Sequence, residues 1–102
     1  MMYQDFKDWL EENSNYKLFV TKATEYQEDK NKKRAPAKRW NESKIARAVN
    51  EMWKNTVTNA YQMIRKEKGI PRINGKQIWL EFIEENNFLE MFNEGIAEMS
   101  FD

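Results

Sequence analysis

The side chains that could do chemistry in this sequence are carboxylates, amines, guanidinium groups and hydroxyls, because the chain contains neither His nor Cys. The commonest general base and metal ligand, and the thiol nucleophile, are therefore missing. Adjacent carboxylates such as Glu84 and Glu85 would diverge by about 100° on a helix and would not converge on a metal ion or a scissile bond. The stretch 69–75 lacks the glycine spacing of a phosphate-binding loop. We expect no catalytic, metal or cofactor site.

Basic side chains are concentrated between residues 30 and 47, where the only carboxylate is Glu42. Cations in this number could contact phosphate groups or an acidic protein surface. Trp40 adds a ring that could stack on a nucleic-acid base. The candidate contact residues are Lys32, Lys33, Arg34, Lys38, Arg39, Trp40, Lys44 and Arg47.

Three interpretations of this basic segment stay open at the level of sequence. The segment could be solvated, or pair with acidic helices elsewhere in the fold. It could instead contact phosphate groups, or dock onto an acidic partner protein. Trp40 is either an exposed interface anchor or a hydrophobic staple that packs on Ile45, four residues past the cap at Asn41.

Acidic side chains recur every four residues near the end of the chain, at Glu90, Glu94, Glu98 and Asp102. On a helix they would form one stripe with neighbours about 6 Å apart, which is similar to the spacing of phosphates along a strand. This acidic stripe could imitate nucleic acid and face a basic groove of a partner, or it could be a solvated helix face. The same helix carries no cation, so it does not suit the recognition helix of a helix-turn-helix motif.

The elements that must position these groups are helices. Apolar residues follow the helical period from Ile45 to Ile64, and Asn41 and Gly69 are a typical cap and stop signal. Shorter helical patterns cover residues 2–12, 15–34, 75–85 and 88–99, and Asn74 and Asn87 show the spacing of capping boxes. The prediction is an all-α fold, a compact bundle of four to five helices around a long central helix at about 42–68. It forms a single domain, 1–102, with a basic connecting segment at about 30–40.

The width of the apolar stripe predicts that the central helix is mostly buried, with only its entrance at 38–47 as a contact surface. Aromatic residues make up 14% of the chain, a large supply for a core of this size, so some could lie exposed as interface anchors.

Composition limits the class of protein. The 17 basic and 17 acidic residues give a net charge of zero, which is unusual for a dedicated nucleic-acid-binding domain. The lack of Cys fits a reducing compartment, and no apolar run approaches the length that crosses a bilayer. We expect a soluble, cytoplasmic protein without a membrane partner.

The sequence therefore favours a small non-catalytic binding protein that occupies a macromolecular partner, most simply another protein, as an inhibitor or assembly factor. Its Lys, Asn and Glu bias is typical of AT-rich phage or mobile-element coding. One alternative is a nucleic-acid-binding protein that uses residues 30–47. Another is a homo-oligomer in which the acidic termini of one copy dock onto the basic segment of the next, in a salt-sensitive manner.

Overall fold

The computed structural model describes residues 1–101, and within them all regular structure is helical. The five α-helices are α1 (Tyr3–Asn13), α2 (Tyr16–Lys32), α3 (Glu42–Lys68), α4 (Gly75–Glu85) and α5 (Phe88–Glu98), with a 3-10 turn at Pro36–Lys38. They form a bundle with principal extents of 54 × 24 × 21 Å. The predicted all-α bundle around a long central helix is confirmed, and the predicted bounds 42–68 coincide with α3.

Helix α3 begins and ends where local chemistry requires it. The side-chain oxygen of Asn41 accepts a hydrogen bond from the backbone N–H of Lys44 at 2.9 Å, as an N-cap does. At the other end Gly69 adopts φ 63°, which is favourable for glycine, and its N–H donates to the carbonyl of Arg65 at 2.7 Å. The predicted start and stop signals of α3 are thus both used.

Two aromatic clusters on the inner face of α3 organise the core. Trp53 is 1% exposed, and its ring lies 4.8 Å from Tyr16, 5.1 Å from Phe19 and 6.0 Å from Phe92. This cluster joins α3 to α2 and α5, because the three rings come from those helices. Ring contacts at these distances add to the large apolar area that each ring buries.

The second cluster joins α3 to α1 and α4. Trp79 is fully buried, with its ring 5.7 Å from Phe6 and 4.9 Å from Tyr61. Its indole N–H donates to the carbonyl of Gly69 at 3.0 Å, so the buried polar atom is satisfied. Tyr61 in turn donates its hydroxyl to the carbonyl of Met1 at 2.8 Å.

The aromatic residues lie in the core or at its edge. All six Phe, four Tyr and four Trp lie within residues 1–101, and each is buried or half-buried. The structure therefore does not support the expectation of exposed aromatic anchors. The large apolar side chains that are exposed are aliphatic or Met: Met2, Leu18, Met63, Ile70, Ile73 and Met91.

Helices α4 and α5 begin where predicted, but not by the predicted mechanism. Asn74 has φ 55° and Asn87 has φ 51°, and neither side chain accepts a capping hydrogen bond. A capping residue needs an extended backbone, whereas these two residues are left-handed, a conformation that Asn tolerates better than most residues. The capping-box assignment is wrong at both positions. Of the two residues that could cap α2, Ser14 donates its hydroxyl to the carbonyl of Leu10 at the end of α1, and the side chain of Asn15 makes no capping hydrogen bond.

The role of Asn87 can be tested with two substitutions. Serine caps helices as well as Asn does, but the left-handed backbone conformation costs a serine about 1 kcal/mol of conformational free energy, a cost that glycine does not have. We expect Asn87→Ser to lower the free energy of unfolding by about 1 kcal/mol and Asn87→Gly to change it by less than about 0.5 kcal/mol. Urea unfolding followed by circular dichroism measures both. If the Ser variant matches the parent chain and the Gly variant is weaker, Asn87 is a cap after all.

Candidate binding surfaces

The basic segment spans the end of α2, the connection and the start of α3. Tyr16 packs on Trp53, and Asn31 bonds to Trp40, so the two helices run in opposite directions and residues 30–47 form the turn between them. We call these residues the basic cap. Its side-chain hydrogen bonds are all internal; in the described chain none joins it to α1, α4 or α5.

Asn31 holds the cap together. Its side-chain amide donates to the carbonyl of Trp40 at 3.0 Å, while its carbonyl oxygen accepts from the N–H of Trp40 at 2.8 Å and from the guanidinium of Arg34 at 3.0 Å. One side chain thus satisfies both backbone groups of Trp40, at a position where no regular helix can do so. The connection is consequently an ordered structure.

Arg39 closes the end of α2. Its guanidinium donates to the carbonyl of Arg34 at 3.3 Å and to that of Lys32 at 3.4 Å. The last carbonyls of a helix have no partner within the helix and carry partial negative charge, so a cation is favourable there. The 3-10 turn adds a backbone hydrogen bond from the N–H of Lys38 to the carbonyl of Ala35 at 2.8 Å.

Trp40 is half-buried, packs against the core and is covered by cations. The guanidinium carbon of Arg34 lies 3.9 Å from the ring centroid, and the amine of Lys44 lies 4.9 Å from it. Such contacts use the electron-rich face of the indole, so the ring holds two cations in place and is poorly available to a base. This geometry disfavours base stacking by Trp40, which was one use proposed for it from the sequence.

Most cations of the cap face solvent, and none forms an ion pair with a carboxylate of residues 1–101. Seven of them are exposed, namely Lys30, Lys32, Lys33, Lys38, Arg39, Lys44 and Arg47, and Arg34 is half-buried. The ion pairs found within residues 1–101 are Lys7 with Glu11 at 2.7 Å and Lys54 with Glu51 at 3.6 Å. Neither involves the cap, so pairing of the cap with acidic helices inside the fold is not supported.

The ion pair of α1 has a local effect. The hydrogen bond from Lys7 to Glu11 raises the pKa of the Lys7 amine. Pairs of this kind, four residues apart on a helix, stabilise it by a few tenths of a kcal/mol, about 0.2–0.5.

The acidic stripe lies on α5. Glu90, Glu94 and Glu98 are exposed, and no ion pair with a described residue neutralises them; Asp102 lies outside the described residues. At the end of α5, the amine of Lys22 of α2 donates to the carbonyls of Ile96, Ala97 and Met99. Lys22 therefore stabilises the end of the helix and leaves the carboxylates of the stripe to solvent.

One surface was not predicted from the sequence, namely the outer face of α3. This is the exposed side of the helix that carries Lys44, Arg47, Lys54, Asn55, Thr58, Gln62, Arg65 and Lys66. The helix buries only seven of its 27 residues, so the expectation that most of it is core is wrong. Residues Ala48, Met52 and Thr56, which widened the apolar stripe, are half-buried. The outer face ends at a second group of exposed cations beyond the basic cap, Arg65, Lys66, Lys68 and Arg72. The sequence contained a signal for this surface, because the helical period places Arg65 and Lys66 on the same side of α3 as Arg47 and Lys44.

An apolar groove between α3 and α5 was also missed. It is lined by Ala60, Met63, Phe88, Met91 and Phe92 among others and has a volume of about 340 Å³. Met63 and Met91 at its rim are exposed. A second groove, of about 480 Å³, is lined by side chains of α1, α4 and α5 such as Trp9 and Leu80.

Comparisons of the chain with protein-family models, with curated protein sequences and with solved structures find no match. Two further results concern the described residues. In 1–101 no helix combines the length and the apolar character that crossing a bilayer requires. In the same range no three acidic side chains come together as a group that could hold a metal ion.

The bridging role of Asn31 can be tested by two substitutions. Asn31→Ala removes three hydrogen bonds and leaves both backbone groups of Trp40 without a partner, so we expect a loss of about 1–3 kcal/mol in the free energy of unfolding. Asn31→Asp still accepts from Trp40 and Arg34 and loses only one donor, so its loss should be smaller. Urea unfolding gives the energies, and hydrogen exchange at the Trp40 amide gives the local effect. Equal losses in the two variants, or none in Asn31→Ala, would contradict the assignment.

Proposed function

We propose that this chain is a small non-catalytic binding protein that acts by occupying a macromolecular partner, as an inhibitor or an assembly factor does, and that the basic cap is its contact surface. The observation that supports this most is the geometry of the cap. The cap contains eight cations and one carboxylate, Glu42, and none of the cations is neutralised by an ion pair with a described residue. A surface of this kind attracts a polyanion.

The order of the cap supports the same function. Asn31, Arg39 and Asn41 fix its backbone by hydrogen bonds, so little backbone entropy remains to be lost when a partner binds. Arg34 and Lys44 are held against Trp40, which places two charges before the encounter. A pre-organised charged surface of this kind favours fast association and recognition of charge more than of sequence.

The available residue types support a non-catalytic role. With neither His nor Cys in the chain, thiol chemistry is not available, and acid–base or nucleophilic chemistry would depend on carboxylates, amines and hydroxyls. The absence of Cys also fits a reducing compartment, and we place the protein in the cytoplasm. The bias toward Lys, Asn and Glu fits coding by a phage or mobile element.

Removing cap charges should weaken polyanion binding more than removing the same charge elsewhere. Lys33 and Lys38 are exposed and have no side-chain partner in the described structure, so Lys33→Gln with Lys38→Gln should not disturb the fold. The control Lys17→Glu changes the net charge equally, at an exposed site on α2. We expect the double variant to weaken binding about tenfold and to lower the slope of log K against log salt by about 2.

Fluorescence anisotropy with labelled duplex DNA and with labelled poly-glutamate measures this effect at several salt concentrations. The control should bind nearly as tightly as the parent chain at moderate salt, where charges beyond the contact are screened. The proposal fails if the parent chain binds neither probe, or if the double variant and the control are weakened equally.

A second candidate function uses the acidic stripe, and a specific observation favours it. Glu90, Glu94 and Glu98 lie on one helix and are exposed and without ion pairs in the described structure. Their spacing of about 6 Å suits a basic groove that normally holds a nucleic-acid strand. In this function the protein is an inhibitor that occupies such a groove on a nucleic-acid-handling protein. A third alternative is self-association between the stripe of one copy and the cap of another.

The stripe can be tested by neutralisation. The variant Glu90→Gln, Glu94→Gln, Glu98→Gln is compared with Glu12→Gln, Glu25→Gln, Glu85→Gln, which changes three exposed carboxylates outside the stripe. If the stripe occupies a basic groove, the immobilised parent chain and the control retain a nucleic-acid-binding protein from host lysate, and added duplex DNA releases it. The stripe variant should retain none. Retention by the stripe variant, or resistance to DNA, excludes nucleic-acid mimicry, and sedimentation at low salt reveals self-association separately.

A further inference from the structure

The outer face of α3 carries cations at both of its ends. Arg47 and Arg65 are 18 residues apart, which is about five helical turns, so they lie on the same side of the helix about 27 Å from each other. Lys44 and Lys66 lie close to the same side and are about 33 Å apart. All four side chains are exposed. Lys44 and Arg47 belong to the basic cap, whereas Arg65 and Lys66 lie outside it.

The surface between these ends is polar. Its exposed residues include Lys54, Asn55, Thr58 and Gln62, and the single carboxylate, Glu51, pairs with Lys54 at 3.6 Å. A protein partner would favour an apolar or aromatic centre in its contact surface. Amides and hydroxyls are instead the groups that, with Arg and Lys, contact the phosphates, sugars and base edges of nucleic acid.

The rigidity of α3 restricts the partner further. The helix is uninterrupted over its 27 residues and is backed by fully buried side chains such as Trp53, Val57 and Ile64. A continuous, well-supported surface with charge at its two ends suits a partner whose own charge recurs at a fixed distance. In double-stranded DNA each strand returns to the same side after one turn, about 34–36 Å, and the duplex stays straight over far longer distances, about 500 Å.

Single strands fit this surface less well. Proteins that bind them without sequence preference place bases on aromatic rings. None of the aromatic residues, all of which lie within residues 1–101, is exposed, and cations cover Trp40. The basic surface therefore offers charge without a stacking platform.

We infer that double-stranded DNA lies along the outer face of α3, held by its phosphates at the basic cap and again at Arg65 and Lys66. This inference rests on the proposed function, because it takes the cap as the first contact, and it adds the identity of the polyanion and a second contact. Since phosphates carry the contacts, binding is independent of base sequence and steeply dependent on salt.

The test compares two DNA hairpins, with stems of 6 and 14 base pairs. At about 3.4 Å per base pair the stems are about 20 and 48 Å long, so only the longer one reaches both ends of α3. The variant Arg65→Gln with Lys66→Gln removes the second contact, and Lys17→Glu is the control with the same change in charge. Each is titrated by anisotropy over a range of salt concentrations.

We expect the Arg65→Gln, Lys66→Gln variant to bind the long stem about tenfold more weakly, with a salt slope lower by about 2, and to bind the short stem like the control. Both substituted side chains are exposed, and urea unfolding verifies that the fold is retained. Tighter binding of a 14-nucleotide single strand than of the 14-base-pair stem would overturn the inference.

The result separates this inference from the proposed function. If the variant and the control bind both stems alike, while Lys33→Gln with Lys38→Gln weakens them, the second contact is wrong and the cap remains a polyanion site. If the parent chain binds poly-glutamate and not the stems, the partner is an acidic protein and not DNA. If it binds neither, both proposals fail.

Discussion

The remaining helices are packed against one face of α3, and the rest of the structure depends on that one-sided packing. Trp53 packs against aromatic rings of α2 and α5, and Tyr61 packs against Trp79 of α4 and Phe6 of α1. A helix of 27 residues is about 40 Å long, and four short or medium helices cannot enclose it. The opposite face therefore stays in solvent along the whole bundle, and its composition is free to serve binding instead of packing.

Helix positions were predictable from the sequence because local interactions set them. The helical period, the cap at Asn41 and the stop at Gly69 depend on residues within one turn of each other, so sequence spacing carries the information. The starts of α4 and α5 were predictable for the same reason, because Asn74 and Asn87 interrupt the helical pattern directly before each of these helices. Their backbone conformation was not, because a cap and a left-handed residue share the same spacing and differ only in their backbone dihedral angles. The direction of the next helix, set by its packing on the core, decides between them.

The candidate site was predictable in charge but not in geometry. Segregation of basic and acidic residues is visible in the printed sequence, whereas their failure to pair depends on where the helices place them. The hydrogen bonds between Asn31 and Trp40 cross nine residues of irregular chain, for which no period exists. Counting half-buried residues such as Ala48 and Thr56 as core made the stripe on α3 too wide and concealed its outer face. Apolar character alone does not distinguish the edge of a core from its centre.

The zero net charge does not oppose the binding of a polyanion, because charge acts locally at physiological salt. Lys22, which contacts the end of α5, precedes Lys30 by eight residues of α2, a distance of about 12 Å. This exceeds the screening length, about 8 Å at physiological ionic strength, and the earlier part of α5 lies farther from the cap, because Asn93 accepts a hydrogen bond from the N–H of Asn15 at the start of α2. A polyanion at the cap is attracted by the nearby cations and only weakly repelled by α5, while an approach to α5 is unfavourable. In the proposed function, the carboxylates of α5 would direct a polyanion to the cap and along α3, and they would limit binding elsewhere on the protein.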